Sequence, residues 1–315
     1  MLSAIGLLII GFIIIVIAAE ELVSSSAHIA ASFKVSPIFI GLTIVALGTS
    51  APEIIVTIAA ALEHKSHLAI GNAIGSNIAN LGLVLGITCL LKPLKIQSET
   101  LYRELPILFV IMAAGYLLFL DGYFSSYDGM LLMLGLGLLI FYLFHLAQHS
   151  RNDPMAKEIT EELSSECKYP YLRLLLSLIL LPISAHLIIS SAVDIAKIME
   201  ISEVTIGLTI IAIGTSLPEV VTSLVGIYKG EDDIALGNII GSNMFNILAV
   251  LPFAGILSPT EVPASVNTRD IPIMFFTSIL LVVLIFAAKK SVNRLSGAIL
   301  LIVYIGYLCL LFTSR

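Results

Sequence analysis

The sequence predicts an all-α integral membrane protein of ten transmembrane helices, arranged as two inverted-topology five-helix repeats with helices broken in their interior. Three observations predict this. The 315 residues are 58% hydrophobic and 12% charged, with a mean hydropathy of +1.05, more apolar surface than a soluble chain of this length could cover. Ten apolar runs are long enough to cross a bilayer. And the second half repeats the first at an offset of 166 residues.

In chain order the runs are residues 2–32, 37–62, 68–91, 101–119 and 128–148, then 171–199, 203–228, 233–257, 270–288 and 293–313. The first and sixth hold roughly 30 residues, near 45 Å of helix, so they should tilt to fit a hydrocarbon core of about 30 Å. From 36 to 86, 22 of 51 positions are identical to their partners in 202–252, and the offset also carries Pro93 onto Pro259, Arg103 onto Arg269 and Pro106 onto Pro272. The expected organisation is therefore a repeat over 1–148 with its motif segment at 36–86, a linker over 149–170, and a repeat over 171–315 with its motif segment at 202–252. Five spans is an odd number. The second copy must then enter the membrane from the opposite face.

The chemistry lies in a phrase written twice, Gly48-Thr49-Ser50-Ala51-Pro52-Glu53 and Gly214-Thr215-Ser216-Leu217-Pro218-Glu219. Each copy puts a carboxylate inside an apolar run, where an uncompensated charge costs several kcal/mol. Each proline lacks an N–H and crowds the carbonyl four residues back, which predicts a break and frees the C=O of Gly48 and of Gly214. On a helix Ala46, Thr49, Ser50 and Glu53 share one face, as do Ala212, Thr215, Ser216 and Glu219. In the following spans Asn72, Ser76 and Asn80 form a polar stripe, matched by Asn238, Ser242 and Asn246. Gly71, Gly75 and Ala79 run beside the first stripe as a small-residue edge for helix approach. This inventory is all oxygen and amide, which suits a hard cation such as Ca2+ or Na+.

Other classes find no support. There is no basic stripe for nucleic acid, and Cys89, Cys167 and Cys309 lie too far apart for a CxxC site. The spans carry no His-rich or paired-aspartate centre for an intramembrane enzyme, and no cofactor or protein partner is implied. His145 and His149 stand at i, i+4 without an HExxH frame and read as interfacial, and Glu20 and His186, related by the offset, read as residues of an interface or a cation path. The first run lacks a basic segment and a cleavage site, as expected of a retained span.

Gly-Thr-Ser-x-Pro-Glu in one span and Gly-Asn-x-x-Gly-Ser-Asn-x-x-Asn in the next, both duplicated, resemble the α-repeats of the Ca2+/cation antiporter superfamily, most closely its prokaryotic sodium/calcium exchangers. The resemblance implies exchange of Na+ for Ca2+ across the bilayer at a central ion site with broken helices. It implies Glu53 and Glu219 as shared cation ligands, with Thr49, Thr215, Ala46 and Ala212 giving hydroxyl and carbonyl oxygens. Ser50, Ser76, Ser216 and Ser242 then resemble Na+ ligands, with Asn80 and Asn246 as the middle pair. Where Asn246 stands, some relatives carry an acidic residue, which argues against K+ dependence, and the central linker has no room for a regulatory Ca2+-binding insert. An H+-coupled exchanger of the same fold is the alternative.

If both termini share one side, that side carries four Lys and Arg residues and the other carries twelve. This count puts the termini outside and the linker in the cytoplasm, and the resemblance implies the cell (inner) membrane.

Overall fold

A computed structural model describes residues 1–33, 35–95, 101–149, 168–199, 212–288 and 291–313, and these are mostly helical. The helices are α1 (Leu2–Phe33), α2 (Pro37–Thr49), α3 (Ala51–Leu62), α4 (Ser66–Leu91), α5 (Leu101–Leu117) and α6 (Ser126–His149). They continue as α7 (Pro170–Ile198), a short α8 (Ala212–Thr215), α9 (Leu217–Lys229), α10 (Asp232–Leu257), α11 (Val266–Ala287) and α12 (Arg294–Thr313). Helix is what an apolar run must adopt in lipid, because it satisfies its own backbone groups. Seven of these helices are long and apolar enough to span a membrane, eight with α2 and α3 taken as one bent span. Of the ten expected spans, the fourth is the 17-residue α5, and the seventh starts on residues outside the described ones.

The expected breaks are present. α2 and α3 meet at a 43° bend. The hinge residue Ser50 has φ −81° and ψ 3°, and Ser216, between α8 and α9, has φ −85° and ψ 2°. Both lie in the sparsely occupied bridge region, two residues before the proline that cannot continue a hydrogen-bonded turn. A second irregularity is also duplicated, a π turn at Asn80–Val84 in α4 and at Asn246–Val250 in α10. Such turns widen the helix by one residue and occur mostly at functional places.

The described chain divides into two compact units, Met1–Pro52 with Leu143–Asn238, and Glu53–Tyr142 with Ile239–Arg315. In the first, α1 lies along α7, with Ile15, Ala18, Ala19, Leu22 and Ile29 buried in one core with Leu181 and Ile188. Arg173 of α7 donates to Glu21 of α1 at 2.8 Å, and Lys229 donates to Ser24 Oγ at 2.8 Å. Glu20 and His186 are exposed on these same helices, so neither is part of a buried path. α2 crosses α10 at two glycines: a Cβ on Gly41 would sit 2.6 Å from Ile234 O, and one on Gly237 2.6 Å from Ile38 O. On α4, by contrast, a Cβ at Gly71 or Gly75 meets nothing within 4 Å among the described residues. The expected small-residue edge is occupied at Gly237, the partner of Gly71 by the offset.

The second unit shows the duplication in its contacts. A Cβ on Gly297 of α12 would meet Gly86 O of α4 at 2.7 Å, and one on Gly129 of α6 would meet Pro252 O of α10 at 2.6 Å. These are one contact written twice, since 86 maps to 252 at the offset of 166 and 129 maps to 297 at 168. Four two-residue strands follow the same rule: β1 (Leu94–Lys95) pairs antiparallel with β4 (Ser291–Val292), and β2 (Tyr123–Phe124) with β3 (Thr260–Glu261). The offsets turn the register Leu94↔Val292 into Thr260↔Phe124, as found.

Gly237→Ala must push its Cβ against backbone, so it should lower stability by about 1–3 kcal/mol. Gly137→Ala, where a Cβ meets nothing within 4 Å among the described residues, should be neutral or stabilising. Thermal melting of the two purified variants checks this, and equal melting temperatures would rule out the close crossing.

Candidate functional site

Eleven of the twelve candidate ligands have described side chains, and all eleven are buried, with Ser76 the most exposed at 5%. Ala212 opens α8, and its side chain lies outside the described residues. The candidates divide between the units. Ala46, Thr49, Ser50, Thr215, Ser216 and Glu219 fall in the first, and Glu53, Ser76, Asn80, Ser242 and Asn246 in the second.

In the first unit the break at Ser216 starts α9, so Glu219 lies in its first turn, where backbone N–H groups favour a negative charge. Ser50 Oγ donates to Glu219 Oε1 at 3.3 Å, joining the hydroxyl of one motif copy to the carboxylate of the other. Thr49 Oγ1 lies 3.2 Å from Ala46 O and donates to Asn238 Oδ1 at 2.9 Å, while Asn238 Nδ2 donates to Ser223 Oγ at 3.2 Å. Ser216 Oγ is buried with no hydrogen-bond partner among the described residues.

In the second unit Glu53 is wholly buried in the first turn of α3. Asn72 Nδ2 donates to the Glu53 carbonyl at 3.2 Å and to Thr57 Oγ1 at 2.9 Å. The bond from Asn72 to Thr57 and the bond from Asn238 to Ser223 are again one bond written twice, at the offset of 166. Thr57 and Ser223 were not singled out from sequence. Their signal is a hydroxyl four residues after each glutamate, on the glutamate's own helical face.

The asparagine stripes thus divide by use. Asn72 and Asn238 spend their amides on protein partners. Asn80 and Asn246 are fully buried at the first residue of each π turn, and neither atom of either amide has a hydrogen-bond partner among the described residues. A buried amide with unmade bonds costs about 1–3 kcal/mol, which a bound cation on its oxygen would offset. The remaining histidine candidate, His145, is exposed near the end of α6, and the side chain of His149 lies outside the described residues. Outside the spans, burial first and then Asp233 push the Glu231 carboxyl up, with His28 opposing.

A multi-pass membrane protein with buried carboxylates, hydroxyls and amides in duplicated, broken helices belongs to the class of ion transporters. The family model described as "Sodium/calcium exchanger protein" matches residues 3–148 and 169–313, and the chain belongs to that family of exchangers, which are transporters and not enzymes. Among relatives, the chain is 38% identical to the inner membrane protein YrbG of Escherichia coli, over 99% of this chain and 98% of that one. It is 30% identical to the sodium/calcium exchanger MaX1 of Methanosarcina acetivorans, over 97% of both. A solved structure of the sodium-calcium exchanger NCX_Mj, soaked with Na+ and Ca2+, is similar over 99% of both chains, with a TM-score of 0.82 at 30% identity.

Asn72→Ala removes two hydrogen bonds and should cost about 1–2 kcal/mol of stability, whereas Asn80→Ala and Asn246→Ala remove none and should melt near the wild type. Melting of the three purified variants decides, and an equal loss in all three would contradict the division.

Proposed function

We propose that the chain is a secondary active antiporter that exchanges Na+ for Ca2+ by alternating access, with Glu53 and Glu219 as shared cation ligands. The observation that carries this is the duplicated set of buried carboxylate, hydroxyl and amide groups, above all the unspent amides of Asn80 and Asn246. Thr49, Thr215, Ala46 and Ala212 add hydroxyl and carbonyl oxygens, and Ser50, Ser76, Ser216 and Ser242 serve Na+ on either side. The names carried by MaX1 and NCX_Mj support the choice of ions.

The energetics favour exchange over leak. Two glutamates supply two negative charges, which one Ca2+ or two Na+ neutralise, and an empty site leaves both without that neutralisation in low dielectric. Loaded forms then cross more easily than the empty one. The proposed frame is ten spans in two inverted repeats, 1–148 and 171–315, joined by a cytoplasmic linker over 149–170 with both termini outside. The repeated glycine contacts and strand registers of the second unit support the duplication. Cysteine probes near Lys157 should label only from the cytoplasm, and labelling from outside would overturn that orientation.

In liposomes, Ca2+ should move only with Na+ on the opposite side, and Glu53→Gln or Glu219→Gln should each nearly abolish it, since a divalent site loses one of its two charges. Ca2+ flux under imposed Na+, H+ and K+ gradients tests this. Flux driven by a pH gradient and indifferent to Na+ would replace the reading with an H+-coupled exchanger of the same fold; near-wild-type uptake by Glu53→Gln would refute the ligand assignment.

A further inference from the structure

Thr49 carries one hydroxyl hydrogen, and the acceptors within its reach among the described residues include Ala46 O at 3.2 Å and Asn238 Oδ1 at 2.9 Å. Which one takes it matters. Ala46 O already accepts the Ser50 N–H at 3.0 Å, so it has one lone pair left. If the Thr49 hydrogen takes that lone pair, the Ala46 carbonyl has none left for an ion. If the hydrogen goes to Asn238, the Ala46 carbonyl keeps its lone pair and the Thr49 oxygen turns its own lone pairs away from Asn238. A hydroxyl can ligate a cation only with its hydrogen directed elsewhere.

Which end of an asparagine faces a neighbour is set by what holds the other end. Here Asn238 Nδ2 donates to Ser223 Oγ at 3.2 Å while Oδ1 faces Thr49. All four residues, 46, 49, 223 and 238, lie within the first unit, and 49, 223 and 238 are wholly buried. Asn72, the repeat partner of Asn238, is used differently: it ties the Glu53 carbonyl and Thr57 Oγ1 through its N–H groups.

We propose that Asn238 is a positioning residue for cation binding: held by Ser223, it takes the Thr49 hydroxyl hydrogen and so presents the Thr49 oxygen and the Ala46 carbonyl to the ion. This rests on the exchange reading for the identity of the ion. The geometric claim is that residues 223, 238 and 49 act as one chain.

The test is a coupling cycle on the full-length purified chain, read as radioactive Ca2+ binding in detergent, Na+-driven Ca2+ exchange in liposomes and thermal melting. Asn238→Leu and Thr49→Val should each raise the Ca2+ concentration for half-saturation by about fivefold to tenfold, the effect of one lost oriented ligand. The double variant should be no worse than the poorer single, because each removes the same arrangement. Ser223→Ala should shift half-saturation in the same direction by about twofold to threefold, with Thr49→Val on top adding nothing. A purely structural role for Asn238 predicts a lowered melting temperature with half-saturation unchanged. That result, or effects at 238 and 49 that multiply, would overturn the proposal. Should Asn238→Leu not fold, the cycle of Ser223→Ala with Thr49→Val decides alone, and multiplying effects there would equally overturn it. If wild type binds Ca2+ with this coupling yet shows no Na+-driven exchange, the exchange reading fails and the positioning role stands.

Discussion

A carboxylate that is wholly buried among apolar helices must be compensated, and the arrangement around Glu53 and Glu219 follows from that requirement. Among the described residues that compensation includes dipoles: the first turns of α3 and α9 at the two carboxylates, and the Ser50 hydroxyl on Glu219. Dipoles only partly replace water around a full charge. In the proposed exchange a cation supplies the rest, and the same electrostatics that attract it make the unloaded pair costly to carry across.

Holding such groups in place demands backbone that a regular helix does not offer. Ser50 and Ser216 sit in the bridge region at matching φ and ψ, and two π turns begin at Asn80 and Asn246, so these four irregularities each fall on a proposed ligand, whereas the π turns at Gly41–Val45 and Val266–Asp270 do not. Regular helix on both sides pins these places. The crossing of Gly41 and Gly237 brings α2 against α10 within the first unit, and this close approach is what lets Thr49 reach Asn238. Packing and site are thus one construction.

Much of this was legible in the residues. Hydropathy marked the seven or eight described helices long and apolar enough to span, proline marked the bend, and the offset of 166 paired Glu53 with Glu219 and Asn80 with Asn246. What sequence could not separate was use. Asn72, Asn80, Asn238 and Asn246 look alike as a stripe, and only three-dimensional neighbours show that two are spent on hydrogen bonds and two are not. The π turns were equally hidden, since inserting one residue into a helical turn leaves hydropathy and periodicity almost unchanged. At Gly71 and Gly75 a Cβ meets nothing within 4 Å among the described residues, and residues 204 and 207, which the offset pairs with the Ile38 and Gly41 that Gly237 packs against, lie outside them.

The central claim is that Na+ and Ca2+ compete for one pair of carboxylates. Equilibrium Ca2+ binding to the purified chain, titrated with Na+ at fixed pH, tests it most directly. The account predicts complete displacement of Ca2+ by Na+ with a Hill coefficient above 1, because more than one Na+ must enter to replace a divalent ion. Ca2+ binding that stays constant as Na+ rises, and falls only on acidification, would contradict it.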